Sequence, residues 1–156
     1  MYAFTYLCPM DQIYSLDQIG EIAAALLQQF GTKTVWAFHA PMGAGKTTLI
    51  AAMGKQMGIQ EAITSPTFAL MNQYDALGKM VYHMDWYRLE NEMEAVRAGM
   101  EAAFDEADYC FVEWPEKALG LLPAATQHFE IEILDPEHRR IFIPCLLYTS
   151  PSPRDS

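Results

Sequence analysis

The 156 residues amount to one domain's worth of chain, and a hydrophobic content of 51% is ample for one core. Ten Lys and Arg against 20 Asp and Glu give a net charge of −10 with no basic stripe. That balance argues against strong direct nucleic-acid binding, which needs clustered cations, and suits either plain solubility or an acidic face that docks a basic partner.

In chain order, Ser15-Leu16-Asp17-Gln18 resembles a capping box, and Leu16, Ile19, Ala23, Leu26 and Phe30 then recur at helical spacing up to Gly31. Thr34 to His39 reads as a buried strand. Lys46 to Met57 reads as the helix it feeds, with Leu49, Met53 and Met57 on one face and Gly58 as its stop. Thr67 to Tyr74 is an extended run that Asp75 to Lys79 turns into Met80 to Asp85, a hairpin pattern. A helix from about Asn91 should carry Met93, Val96 and Met100 inward, with an interruption at Gly99 or near Asp105 to Asp108. Tyr109 to Glu113 is a continuous apolar strand ending in a carboxylate, as inside a parallel sheet. His128 to Leu134 and Arg140 to Ile143 form a terminal hairpin.

Residues 145–156 turn Ser/Pro-rich and offer nothing to pack. They read as translated vector, a reading-frame artefact or a disordered tail, which leaves 1–144 as a single domain. Cys8, Cys110 and Cys145 are widely spaced and odd in number, which suits a reducing cytoplasm rather than a disulfide framework or a CxxC metal site. His39, His83, His128 and His138 show no short ligand spacing and read as packing or solvent-facing groups. The N-terminus lacks a cationic segment followed by an apolar one, and no run approaches about 18 apolar residues, so neither export nor membrane spanning is expected.

The chemistry lies between the first strand and its helix. Ala40-Pro41-Met42-Gly43-Ala44-Gly45-Lys46-Thr47 fits the phosphate-loop pattern G-x-x-x-x-G-K-[ST], with Ala40 at the first glycine. In that pattern backbone N–H groups and a helix N-terminus surround phosphates, the lysine reaches their outer oxygens, and the hydroxyl holds Mg²⁺. Pro41 supplies no N–H, but the donors that matter lie later, from Gly43 through Thr48. Such a loop needs an acidic partner at the end of a second strand. Both Glu113, after Tyr109 to Val112, and Asp85, after Val81 to Met84, have that placement.

MGAGKTT, TSPTFAL, YHMDWYRL and FVEWPEK, in this order and spacing, resemble the bacterial TsaE (YjeE) family, and the resemblance covers about residues 10 to 143. It implies a three-layer αβα phosphate-loop domain with a mixed, mainly parallel sheet. It also implies Mg²⁺-dependent, slow ATP hydrolysis in the making of threonylcarbamoyladenosine on tRNA, together with the TsaB and TsaD proteins. Carried over, Gly43, Ala44, Gly45, Lys46, Thr47 and Thr48 bind the phosphates of ATP. Thr47 and Glu113 hold Mg²⁺, and Asp85 supports the metal or orients the attacking water, so that Asp85 and Lys46 form the catalytic pair. Ser65-Pro66-Thr67 would be the mobile segment near the γ-phosphate, and Trp114 the neighbour of the metal ligand. The family often has Gly-Asp or Gly-Glu where this chain has Ala40-Pro41, so no acidic side chain is available at position 41.

No arginine finger is evident: between the loop and the terminal hairpin the arginines are Arg88 and Arg97. A low intrinsic rate and a partner that completes the site are therefore expected. Arg88 reads equally as a salt-bridged surface residue. The competing enzyme class is a small-molecule kinase on the same scaffold, which would need an Arg-bearing lid that the sequence lacks. The competing non-enzyme class is an assembly switch in which ATP orders Ser65 to Phe68.

Overall fold

The structure, a computed structural model, describes residues 10–66 and 69–144. Thr67, Phe68, Cys8 and the 145–156 segment therefore lie outside the described residues. Seven strands form one sheet: β1 (Asp11–Ser15), β2 (Val35–His39), β3 (Met71–Ala76), β4 (Lys79–Asp85), β5 (Tyr109–Glu113), β6 (Gln127–Asp135) and β7 (His138–Phe142). Among the described residues four α-helices accompany them, besides two short 3-10 helices: α1 (Ile19–Phe30), α2 (Lys46–Met57), α3 (Glu92–Arg97) and α4 (Met100–Glu106). The spatial order is β1-β7-β6-β2-β5-β4-β3. The four middle strands run parallel, and β1, β7 and β3 pair antiparallel at the flanks.

Central strands of such a sheet are covered on both faces, which is why β2 and β5 are continuous apolar runs. Trp36, Phe38, Phe111, Phe129 and Ile131 face α1 and α2, where Leu26, Phe30, Leu49 and Met53 complete one core. Val35, Cys110, Val112, Tyr82 and Met84 point the other way, against Met100, Ala103 and Phe104 of α4 and the wholly buried Trp86. Trp36 stands edge-on to Phe111 with ring centroids 5.5 Å apart, and Phe38 stacks on Phe129 at 5.6 Å. Offset and edge-on arrangements of this kind add about 0.5–1.5 kcal/mol per pair beyond area burial. The three-layer reading of the sequence is the fold observed.

Parallel pairing also sets the functional edge. Side chains two residues apart share a face, so Phe111 and Glu113 both face the α2 side, and Val81, His83 and Asp85 do so on β4. Asp85 is the register partner of Glu113, and Phe38 is another. The carboxyl ends of β2, β4 and β5 therefore open side by side, where ligands of open α/β sheets are received.

Two local differences from the sequence reading have physical causes, and the expected hairpin turn has one as well. Asp11–Ser15 is an edge strand, yet only Tyr14 of its five residues is buried, so no alternation marks it; its partner β7 is supplied from the other end of the chain. The helix expected from Asn91 begins there, with Asn91 Oδ1 accepting from the Glu94 N–H at 3.1 Å. It breaks at Gly99, whose φ of 84° is left-handed, into α3 and α4. Because the break resets the helical phase, Met100 is buried as expected, but Met93 and Val96 are exposed and Ala95 is the inward residue of α3, which corrects the expected face there. The 71–85 hairpin closes through Leu77 and Gly78 with φ of 53° and 94°, the twist of a two-residue hairpin turn.

Candidate functional site

The loop from Ala40 to Gly45 joins β2 to α2. Ala40 keeps an ordinary negative φ and so replaces the pattern's first glycine without strain, whereas Gly43 and Gly45 sit at φ of 83° and 93°. The Ala44 N–H bonds the Pro41 carbonyl at 3.2 Å, closing the turn. The Leu49 N–H bonds the Gly45 carbonyl at 2.9 Å as the first bond of α2. The N–H groups of Gly45, Lys46, Thr47 and Thr48 consequently precede any intrahelical acceptor. With the positive end of the helix dipole they form a cradle able to receive an anion.

Lys46 is buried at the base of this cradle. Its Nζ donates to the Ala40 carbonyl at 2.7 Å and lies 3.5 Å from the centre of the Trp114 ring. Burial pushes its ammonium below the usual lysine value, and Glu113, Glu116 and Asp85 oppose that push.

The two strand-end carboxylates are not alike. Glu113 is buried, and its Oε2 accepts from Thr47 Oγ1 at 2.7 Å while standing 2.7 Å from His83 Nε2. His83 is itself wholly buried, and its Nδ1 has no partner among the described residues. An Nε2–H directed at the carboxylate leaves Nδ1 as the bare ring nitrogen, the cheaper of the two atoms to leave unpaired. Asp85 is half-buried; Oδ2 accepts from Ser65 Oγ and Oδ1 from the Tyr87 N–H at 3.0 Å.

The described residues expected from sequence converge. Gly43, Ala44, Gly45, Lys46, Thr47, Thr48, Ser65, Pro66, Asp85, Glu113 and Trp114 line a single open cleft of about 330 Å³, with Arg88 and Tyr87 on its wall. Thr67 lies outside the described residues. The Thr47 and Glu113 oxygens are hard donors in contact, and Mg²⁺ is ordinarily held by one or two such oxygens plus phosphate and water rather than by a protein cage. The donor set therefore fits that ion, and no larger His/Cys/Asp/Glu cluster able to hold a metal occurs among the described residues.

His83, expected among the packing or solvent-facing histidines, is in addition tied to the Glu113 oxygen. The available signal was its position two residues before Asp85 on a strand, which puts both on one face. His39 Nε2 and His128 Nδ1 lie 2.8 Å apart on the other side of β2. Burial, then His128, then Lys46 push the His39 imidazole down to about 4, and burial also lowers His128.

Comparison with known proteins bears on most of the chain. The profile of the family described as threonylcarbamoyl adenosine biosynthesis protein TsaE matches residues 13–141. A protein named tRNA threonylcarbamoyladenosine biosynthesis protein TsaE from Haemophilus influenzae is 36% identical over 124 residues, covering 78% of each chain. One of the same name from Synechocystis is 37% identical over 120 residues, covering 74% of this chain and 73% of its own. The crystal structure of Bacillus subtilis YdiB superposes with a TM-score of 0.66 at 24% identity, covering 86% of this chain and 83% of that one, which bears on the fold alone.

Proposed function

We propose that this chain, which belongs to the threonylcarbamoyl adenosine biosynthesis protein TsaE family, binds ATP with Mg²⁺ in the cleft over α2 and hydrolyses it slowly. In this reading it is the ATP-dependent component of the tRNA N6-threonylcarbamoyladenosine machinery and works with TsaB and TsaD. No helix among the described residues is long and apolar enough to cross a membrane, and a cytoplasmic place fits the role. The observation that carries the reading is the Thr47–Glu113 contact at the mouth of a glycine loop that opens a helix.

In this mechanism the N–H groups of Gly43 and of Gly45 to Thr48 hold the phosphates, and Lys46 swings from the Ala40 carbonyl to their outer oxygens. Thr47 and Glu113 supply the ion's protein oxygens, and bound Mg²⁺ would offset the negative charge of the β- and γ-phosphates. Asp85, at the neighbouring strand end, accepts a hydrogen bond from the attacking water. Arg88 lies on the cleft wall. No pair of arginines closes over the loop among the cleft-lining residues, which favours the slow ATPase over a kinase.

Lys46→Ala removes one charged phosphate contact from a sheltered site. It should weaken ATP binding or turnover about tenfold or more, about 1.4 kcal/mol. Calorimetry on the variant, and turnover measured with and without TsaB, TsaD and tRNA, check this. A variant that binds and hydrolyses ATP like the parent would overturn the reading.

A further inference from the structure

Among the described residues the buried polar and charged side chains are Lys46, His83, Glu113 and Arg139. Lys46 and Glu113 line the cleft, and His83 stands against Glu113. Arg139, on β7, lies behind the loop, and each of its hydrogen bonds given by the structure ends on a backbone carbonyl. Nη1 donates to Asp135 O at 2.8 Å and His138 O at 3.0 Å in the β6–β7 turn, while Nε donates to Ala44 O at 3.0 Å. The Asp135 carboxylate is turned to its own loop, accepting from the Glu137 and His138 N–H groups at 2.8 Å each. The turn thus holds the guanidinium, and the guanidinium holds the loop across 95 residues of sequence.

The Ala44 carbonyl and the Gly45 N–H belong to one planar trans peptide and point in opposite directions. Pinning the carbonyl toward β7 therefore aims the Gly45 N–H away from it. The peptide needs such a pin, because Gly45 has no Cβ and glycine accepts either sign of φ at little steric cost. Ala44 is itself buried, so its carbonyl without Arg139 would lose a partner away from water. A positive charge fixed behind the cradle in a low-dielectric interior also raises the potential for an anion in front of it.

We propose that Arg139 is a positioning residue of the phosphate loop, fixing the Ala44–Gly45 peptide so that the Gly45 N–H is held for a phosphate oxygen. The proposal rests on the reading of the cleft as an ATP site. It assigns part of that site to the terminal hairpin, which the sequence reading treated as sheet closure.

Arg139→Lys keeps the charge and removes the Nε donor. Mg-ADP titrated by calorimetry should bind about fivefold weaker or worse, the loss of one hydrogen bond to a charged group. In the nucleotide-free protein the Gly45 amide resonance should move as well. Ile141→Val trims the same strand away from the loop and should leave both readouts as in the parent. Arg139→Lys binding Mg-ADP like the parent, or Ile141→Val losing the same factor, would overturn the proposal. If Arg139→Lys does not fold, the parent carries the test: Mg-ADP should shift the Arg139 Nε–H resonance and leave that of Arg140 in place, and an unmoved Arg139 signal overturns it. A parent that binds no Mg-ADP defeats the ATP reading instead, while the nucleotide-free Gly45 resonance of the variant still decides the Arg139 bond.

Discussion

The two flanks of strand β2 end in polar residues that behave differently. On the β5 side, Glu113 reaches the loop, taking the Thr47 hydroxyl, and His83 backs it from β4. On the β6 side, His39 and His128 pair with each other, and Glu116 stands 3.9 Å from the far ring nitrogen of His39. Both flanks are parallel pairs of similar register, so the backbone does not make the difference. What differs is whether the strand-end group meets a donor on α2. The β5 flank does, and there a buried carboxylate is sustained by two hydrogen-bonding partners; the β6 flank carries a histidine pair held neutral. Chemistry is expected on the first and only a contribution to stability from the second.

Glu113→Gln is the most severe way to break this contrast. It removes the negative charge beside Thr47 while keeping the shape, and Mg²⁺-dependent ATP binding should fall by on the order of tenfold to a hundredfold, about 1.5–3 kcal/mol. Titrating Mg²⁺ against a fluorescent ATP analogue measures it. Unchanged Mg²⁺ dependence would mean that the buried carboxylate is only a structural partner of His83.

Asp85→Asn sharpens the same comparison within the β4–β5 pair. Asp85 and Glu113 are register partners, but Asp85 is more open and its oxygens face Ser65 and Tyr87 rather than α2. Single-turnover hydrolysis should drop about tenfold or more while Mg-ATP affinity stays within about threefold. If affinity for Mg²⁺ collapses in Asp85→Asn and survives in Glu113→Gln, the two acids exchange roles.

Sequence carried the parallel core and the loop because both depend on short stretches: an apolar run that ends in a carboxylate, and a glycine loop that opens a helix. α2 runs from Lys46 to Met57 as read. Pairings between distant segments were not legible. Nothing in Asp11–Ser15 marks an edge strand until β7 lies beside it, and nothing in His-Arg-Arg-Ile-Phe tells which arginine turns inward to Ala44 and which outward to Asp11. The ranking of Asp85 against Glu113 was hidden for the same reason, since burial at a strand end is set by the neighbouring strands and by α2.

The smallest effect expected concerns the β6 flank and the pH dependence of stability. Folding holds His39 down at about 4 and lowers His128, so both imidazoles favour the neutral form in the native state. As the pH falls below about 6.5, the ordinary histidine value, the unfolded chain takes up these protons before the folded one does. The stability contributed by the pair is therefore whole above about pH 6.5 and is lost progressively as the pH falls toward 4. His39→Gln leaves an amide near the position of Nε2 and removes that titration. Its thermal midpoint should accordingly decline less than the parent's between pH 7 and pH 5, readings that bracket the ordinary histidine value of about 6.5. Mg-ADP affinity at neutral pH should stay within about twofold, because neither histidine lines the cleft. Equal pH slopes in the two proteins would remove the histidine pair as the cause. A tenfold loss of nucleotide affinity in His39→Gln, about 1.4 kcal/mol, would erase the contrast between the flanks and make the β6 side part of the site.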